Sequence, residues 1–420
     1  MDNIVKDLNV SAASLKVPFD EAWHFILKVG VAAHKYGSTS NRLESFLTSL
    51  ANRMSYQGVF KATPVTITFA LRESPDTLQR VEIIATAPPN IDLDKLARLG
   101  DLLKEIETGK LSMTEAYTRI DAIDKAPPPW GRFASMLGYA LTGLGLAPLL
   151  GAGWTDTLVA TSLSILVYGL VLLSSRFGAI AMSWMPLTTA LVTGIIATLL
   201  KYWVPELNLV LVILSAVAII LPGYSISLGA GELVAQHVLS GISNLMNGLI
   251  TLFKQIAGGV IGIGIASLLV TIVNTEPATP VNQLWLLLLF PLLLVGLSLA
   301  FQTSRRDLPW TVLVSGLAYL GVMAGSALLV SNLGNLMGTI VAVVVANLWA
   351  RKTGRPTSIV LIPAIVMLVS GTIGFRGIAS MAQGEVQLGV QQFFQMFIVA
   401  MTILVGIVIG YTIVRPEKSL

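Results

Sequence analysis

Up to Pro127 the apolar positions of this 420-residue chain recur at helical or alternating spacing, and beyond Trp130 they merge into long runs. Two solvents are therefore implied for one polypeptide. From Pro18, the residues Phe19, Ala22, Trp23, Ile26, Leu27, Val29, Gly30 and Ala33 hold one helical face, which ends at Lys35-Tyr36-Gly37, where glycine can take a left-handed cap. A second helix fits Asn41 to Ser55, with Leu43, Phe46, Leu47, Leu50 and Met54 on one side. The segments VFKATPVTITFALRE and RVEIIATAP, parted by the turn Ser74-Pro75-Asp76, read as the two strands of a hairpin because β-branched residues dominate them. Helices over Asp92 to Glu107 and Ser112 to Asp124 follow, the second opened by a Ser112/Glu115 capping box. Pro127-Pro128-Pro129 stops helix propagation and closes an α+β domain over residues 1–129.

Ten later stretches approach the ~20 apolar residues that cross a ~30 Å hydrocarbon core. They run over 132–151, 156–175, 179–200, 207–226, 248–273, 283–301, 310–330, 333–350, 357–375 and 391–414. The fold class expected is a mainly α polytopic membrane protein of about ten helices with an N-terminal α+β cytosolic domain. The first residues have neither a basic nor an apolar leader segment, so the N-terminus is expected in the cytosol. The connections then expected inside hold Arg176, Arg305, Arg306, Arg351, Lys352, Arg355, Arg415 and Lys418, against Lys201 and Arg376 outside. That bias follows the positive-inside rule and places both termini in the cytosol of an inner or plasma membrane.

An internal repeat is also legible. At a shift of 141 residues, Pro363 matches Pro222, Gly389 matches Gly248 and Phe394 matches Phe253. Two modules, 130–275 and 276–420, would each hold five spans, and an odd number inverts the second copy against the first. Inverted-repeat carriers place substrate near interrupted helices at the midplane, where freed backbone groups meet polar ligands. Two stretches fit that description. One runs from Pro222 and Gly223 through Ser225, Ser227, Gly229 and Gly231 to Glu232; the other follows Pro363 and holds Ser370, Gly371, Thr372, Gly374 and Arg376. Hydroxyls there suit an ammonium or carboxylate, Arg376 offers a fork to a carboxylate, and Glu232 can bind a proton or an amine. Reentrant turns at the membrane surface would explain the same stretches. Lys254, within the fifth span, requires a partner such as Glu232 or must snorkel to the interface. Asp156, Glu206, Glu276 and Glu385 fall at span ends and are expected to be solvated, and Gly258/Gly262, Gly321/Gly325, Gly334/Gly338 and Gly406/Gly410 form small-residue pairs suited to close helix packing.

Composition narrows the chemistry. Residues 54% hydrophobic and 12% charged exclude an ordinary soluble enzyme, and the absence of cysteine excludes disulfides, thiolate nucleophiles and zinc-thiolate sites. With three histidines and no phosphate-binding loop, no metal centre, cofactor or ATP-driven step is expected from this chain alone. The first 132 residues hold 16 acids and 16 bases, so the net charge of +4 arises in the apolar part and nucleic acid is not an expected partner. His24 and His34 have no triad-like companions.

In its whole layout the chain resembles the threonine/serine exporter family. The resemblance rests on a helix leading into HKYGSTSNRLESFL, then five spans with Pro222-Gly223 in the fourth and Glu232 beyond it, then a second five-span module. In some relatives the two modules are separate polypeptides. Where the resemblance leads one to expect a basic residue about a dozen positions past the acid, this chain has Asn244. The resemblance implies a non-enzymatic secondary exporter of threonine and serine driven by protons through alternating access, embedded in the lipid bilayer. A succinate-like dicarboxylate is the alternative substrate, as in some two-subunit relatives. A membrane-anchored enzyme using the N-terminal domain is the alternative of another class, and self-association into a homo-oligomer stays open.

Overall fold

The computed structural model describes residues 17–416, apart from 88, 109–110, 235, 272–274, 329–332, 369–370 and 383. The chain separates into two compact units that adjoin in sequence at Ala126 and Pro127.

The first unit contains α1 (Phe19–Lys35), α2 (Ser40–Arg53), β1 (Gln57–Thr63), β2 (Thr66–Arg72), β3 (Arg80–Ala85), α3 (Leu93–Glu107) and α4 (Met113–Lys125). The sheet has three antiparallel strands in the order β1-β2-β3, so the segment expected to be one strand is itself a hairpin. Pro64 explains the difference: it has no N–H for a ladder, and the Thr63–Thr66 pair closes around it while the Thr63 hydroxyl donates to the Thr66 carbonyl at 3.1 Å. Gly37 has φ +102°, the left-handed geometry that stops α1. The Ser112/Glu115 box opens α4. Trp23, Phe25, Ile26, Leu43, Leu47, Ile67, Phe69, Leu96 and Leu99 form the core between helices and sheet.

His34 is part of that core. Its Nε2 lies 3.2 Å from the Pro64 carbonyl and 3.0 Å from the Thr86 hydroxyl, joining the β1–β2 turn to the end of β3. Burial disfavours its charged form and holds it below 6.5. His24 is exposed and bonds only back to the Asp20 carbonyl at 2.6 Å.

The second unit contains α5 (Gly131–Leu149), α6 (Trp154–Arg176), α7 (Ala179–Trp203), α8 (Leu209–Ala216), a 3₁₀ turn (Ala218–Ile220), α9 (Gly223–Val234), α10 (Val238–Ser267), α11 (Gln283–Ala300), α12 (Leu308–Leu328), α13 (Gly334–Thr353), α14 (Ser358–Leu368), α15 (Gly371–Ala382) and α16 (Val386–Ile413). Among the described residues eight helical stretches are long and apolar enough to cross a membrane, α14 with α15 counting as one. A ninth appears when α8 and α9, bent by 66°, are taken together. The ten expected by sequence is therefore not reached on length and apolarity: α5 is outside the set, and it carries Arg132, Ser135, Thr142 and several glycines. Large apolar side chains such as Leu287 (76% exposed) and Phe394 (63% exposed) cover the outside of this unit, a surface suited to lipid.

The two halves of this unit share one scheme of contacts. In the first half α6 packs on α7 and α8, α7 on α8 and α10, and α9 on α10; in the second, α12 packs on α13 and α14, α13 on α14 and α16, and α15 on α16. Across the halves α5 meets α11, α9 meets α15 and α16, and α15 meets α10. The small-residue pairs lie in these interfaces. Gly258 and Gly262 sit against the α7 backbone at Leu187 and Leu191, Gly321 and Gly325 face Gly338 and Gly334, and Gly406 and Gly410 face Thr339 and Val343. Removing the Cβ lets main chains approach where lipid gives no hydrophobic drive for association.

Two acids behave otherwise than their positions imply. Asp156, expected in water, is 1% exposed and accepts from the backbone N–H groups of Gly153 at 3.3 Å and Asn208 at 2.8 Å. Asp307, at the start of α12, accepts Arg355 on both oxygens at 2.6 Å, with both residues buried. Each acid ties the head of the second helix of its half to the approach to the fourth. Arg355, counted by sequence among loop charges, is thus part of a buried pair.

Candidate functional site

The sequence explains why α8 and α9 do not form one straight helix. Leu221 precedes a proline and takes an extended conformation (φ −62°, ψ 132°), and Pro222 has no N–H to continue the ladder. Gln255, fully buried on α10, donates its side-chain amide to the Ile220 carbonyl at 2.9 Å and satisfies one acceptor freed at the bend. Gly223 then begins α9, and Gly371 begins α15. A Cβ on Gly371 would stand 3.2 Å from the Cα of Gly223, so the two segments touch main chain to main chain.

On the elements that lead to and from this bend several buried polar atoms have no hydrogen-bond partner: Ser215 Oγ at the end of α8, Ser227 Oγ on α9 and Gln255 Oε1 on α10. Unmatched acceptors and hydroxyls in an apolar bundle are costly unless another molecule completes them. Ser225 and Thr372 are half-buried on the same two segments, and Ser370 lies outside the described residues. Gly229 is packed against the backbone of Gly241 and Leu245, and Gly231 approaches the Leu404 side chain.

Glu232 is 4% exposed and Asn244 8%, and the Asn244 amide donates to a Glu232 oxygen at 2.7 Å. The residue that departs from the basic one expected is thus the acid's own partner. Lys254 does not join them. Its ammonium reaches back to α7, donating to the Ser183 carbonyl at 2.9 Å and lying 5.3 Å from the Trp184 ring centre, as a snorkelling lysine does.

Arg376 is half-buried on α15 and donates to the Leu150 carbonyl, at the end of α5, at 3.0 Å. It borders a cavity of about 220 Å³ shared by Asn208, Leu211, Ala379, Ser380 and Gln392. Pro363 and Gly374, expected at breaks, lie inside α14 and α15 respectively. Pro363 is buried within α14, and Gly374 is where the Met396 sulfur presses against α15.

The packing of two hairpins, α9 with α10 and α15 with α16, corresponds at a shift that differs from the one read by matching identities. Gly229 packs on Gly241 and Leu245 as Gly377 packs on Gly389 and Phe393, and Gly223 meets Gly371. Every one of these correspondences is a shift of 148 residues, not 141. The wrong shift aligned Pro222 with a proline in mid-helix. On the correct one Glu232 and Asn244 correspond to Ser380 and Gln392, and Leu228 to Arg376. Sequence reasoning did not single out Gln255, Gln392, Asp307 or this pairing; buried amides in apolar helices were the available signal.

Two family profiles match this chain. The profile of the threonine/serine exporter family matches residues 24–267, and a second threonine/serine exporter profile matches residues 286–413. A Mycobacterium tuberculosis protein named "Probable threonine/serine exporter" is 24% identical over 378 residues, covering 86% of this chain and 70% of that protein. A Pichia sorbitophila protein named pheromone-regulated membrane protein 10 is 22% identical over 366 residues, 83% of this chain and 36% of its own length. An uncharacterized Schizosaccharomyces pombe protein is 23% identical over 367 residues, 85% of this chain and 48% of its own. The chain therefore spans about half or less of the length of these two fungal relatives. No solved structure matches it.

Proposed function

The chain belongs to the threonine/serine exporter family, and on that premise we propose that it is a secondary active exporter of small amino acids, threonine and serine, driven by the proton-motive force. The family is one of exporters, which favours transport over catalysis. It is a multi-pass membrane protein, and its ten segments are read as an inverted 5+5 repeat in which α5 and α11 are equivalent first helices. The repeated contact scheme supports this.

The observation that carries the reading is the contact of Gly223 with Gly371 among buried polar atoms that lack partners. There the second segments of both fourth helices meet, and freed hydroxyls and amides can receive the ammonium, carboxylate and hydroxyl of a small amino acid. Rocking of one half against the other about that point would open the site to each side in turn. Glu232 is the proton carrier in this scheme, being a carboxyl buried in the bundle and bonded to the Asn244 amide. The dicarboxylate reading needs two cations at the site, and Lys254 is engaged with Ser183 and Trp184 instead.

Purified protein in proteoliposomes loaded with labelled threonine provides the test. Efflux should saturate, require an imposed pH gradient, vanish with a protonophore and be competed by serine. Strong competition by succinate with none by serine would overturn the assignment.

A further inference from the structure

We infer that the cavity beside Arg376 is a carboxylate-binding subsite of the transport path, formed by Arg376, Ser380 and Gln392 and able to take a small amino acid by its carboxylate end. Three observations lead there. First, the Arg376 guanidinium is half-buried within an apolar helical unit and, among the described residues, has no acidic partner. Its bond to the Leu150 carbonyl uses one of five N–H donors and holds the plane in place, leaving donors for a bidentate anion. Asp156, reached through Asn208 on the cavity rim, is occupied by two backbone N–H groups. A cation taken out of water without a counter-charge is unfavourable, and a bound carboxylate supplies the missing charge.

Second, the cavity wall is unsatisfied in the way a ligand would correct. Gln392 borders the cavity and its Oε1 is buried without a hydrogen-bond partner, and Ser380 borders the same space. An acceptor oxygen next to a cation suits a molecule that carries an ammonium or hydroxyl beside its carboxylate, as serine and threonine do. The volume, about 220 Å³, is far more than one water requires.

Third, Ser380 and Gln392 occupy the repeat positions of Glu232 and Asn244. In the first half those positions are filled by a carboxyl and an amide bonded to each other. In the second half the acid is replaced by a serine, the amide is left with an open oxygen, and a guanidinium stands one turn earlier. One half carries its own carboxylate; the other has the room and the charge to accept one from outside. The inference deepens the exporter reading and depends on it only for the identity of the ligand.

The chain has no cysteine, which permits a direct test on Ser380→Cys in the full-length protein in lipid nanodiscs, both faces being accessible to a thiol reagent. L-Threonine and L-serine should slow labelling of the introduced thiol by about tenfold at saturation, while threoninol, which lacks the carboxylate, leaves the rate unchanged. Adding Arg376→Gln should remove the protection, and the threonine–threoninol comparison stands even if that variant does not fold. Equal protection by succinate would support a carboxylate subsite with a broader ligand. Equal protection by threoninol, no protection by any carboxylate, or protection untouched by Arg376→Gln would overturn the inference. If protection holds while proteoliposomes show no threonine flux, the subsite stands and the exporter assignment fails.

Discussion

The hairpin of α9 with α10 and the hairpin of α15 with α16 have the same interlock and different chemistry. In both, a glycine of the shorter helix is set against the main chain of the longer one, Gly229 on Gly241 and Leu245, Gly377 on Gly389 and Phe393. Yet one presents the bonded Glu232–Asn244 pair, and the other presents Arg376, Ser380 and an open Gln392. Where backbones touch, no side chain can be added, so the two copies keep the same residue. Where side chains line space, the two hairpins differ, and the proposed roles differ with them: a proton at Glu232, a carboxylate at Arg376.

The largest expected effect concerns the anchors that hold each half around its hairpin. Asp307→Ala removes the acid of a buried ion pair with Arg355 and should destabilise the protein by about 3–5 kcal/mol, whereas Asp156→Ala removes two backbone hydrogen bonds and should cost about 1–3 kcal/mol. Thermal unfolding in detergent ranks the two, and an equal or reversed ranking would break the comparison.

Next come the interlocks themselves. A Cβ at Gly229 would stand 2.5 Å from the Leu245 nitrogen and one at Gly377 2.8 Å from the Phe393 nitrogen. Main chain cannot swing aside, so Gly229→Val and Gly377→Val should each lose about 1–3 kcal/mol and reduce folded yield to a similar degree. Gly231→Ala meets only the end of the Leu404 side chain at 3.2 Å and should be tolerated.

A smaller effect belongs to the first unit. His34 is held below 6.5 in the folded state, so the unfolded chain takes up that proton first as pH falls. Stability of this unit should therefore decline from about pH 6.5 downward to the depressed folded value, read as loss of hydrogen-exchange protection in α1 and the β1–β2 turn. His34→Gln should flatten that slope. The smallest effect is expected at Lys254, which lies against Ser183 and Trp184 rather than near Glu232. Lys254→Gln should leave threonine flux within about twofold, a factor below 0.5 kcal/mol, and a large loss would return Lys254 to the site.

Much of the architecture was legible because periodicity and apolar run length are local properties. The helices of the first unit, the Ser112/Glu115 box, the Gly37 cap and the bend at Pro222-Gly223 all follow from a few neighbouring residues. What was misread depends on distant partners. Pro64 divides a strand that β-branched composition alone joins. Asp156 sits at a span end, where sequence implies water, and Arg355 falls among the loop charges, but their partners lie some fifty residues away in chain. The repeat register was lost because three identities outvoted a pattern of glycine contacts that only packing reveals. At the site, Glu232 and Arg376 stood out as charges in apolar surroundings and Asn244 as a departure from the expected base, whereas Gln255 and Gln392 carry no charge and gained meaning only from where they pack.

The central claim is that the buried Glu232–Asn244 pair couples threonine movement to protons, and it is tested most directly by comparing two fluxes through Glu232→Gln in proteoliposomes. Efflux driven by a pH gradient should fall by about tenfold or more, while threonine–threonine exchange at equal pH persists, because exchange needs the substrate site but no net proton release. Gradient-driven efflux equal to that of the unaltered protein would contradict the account.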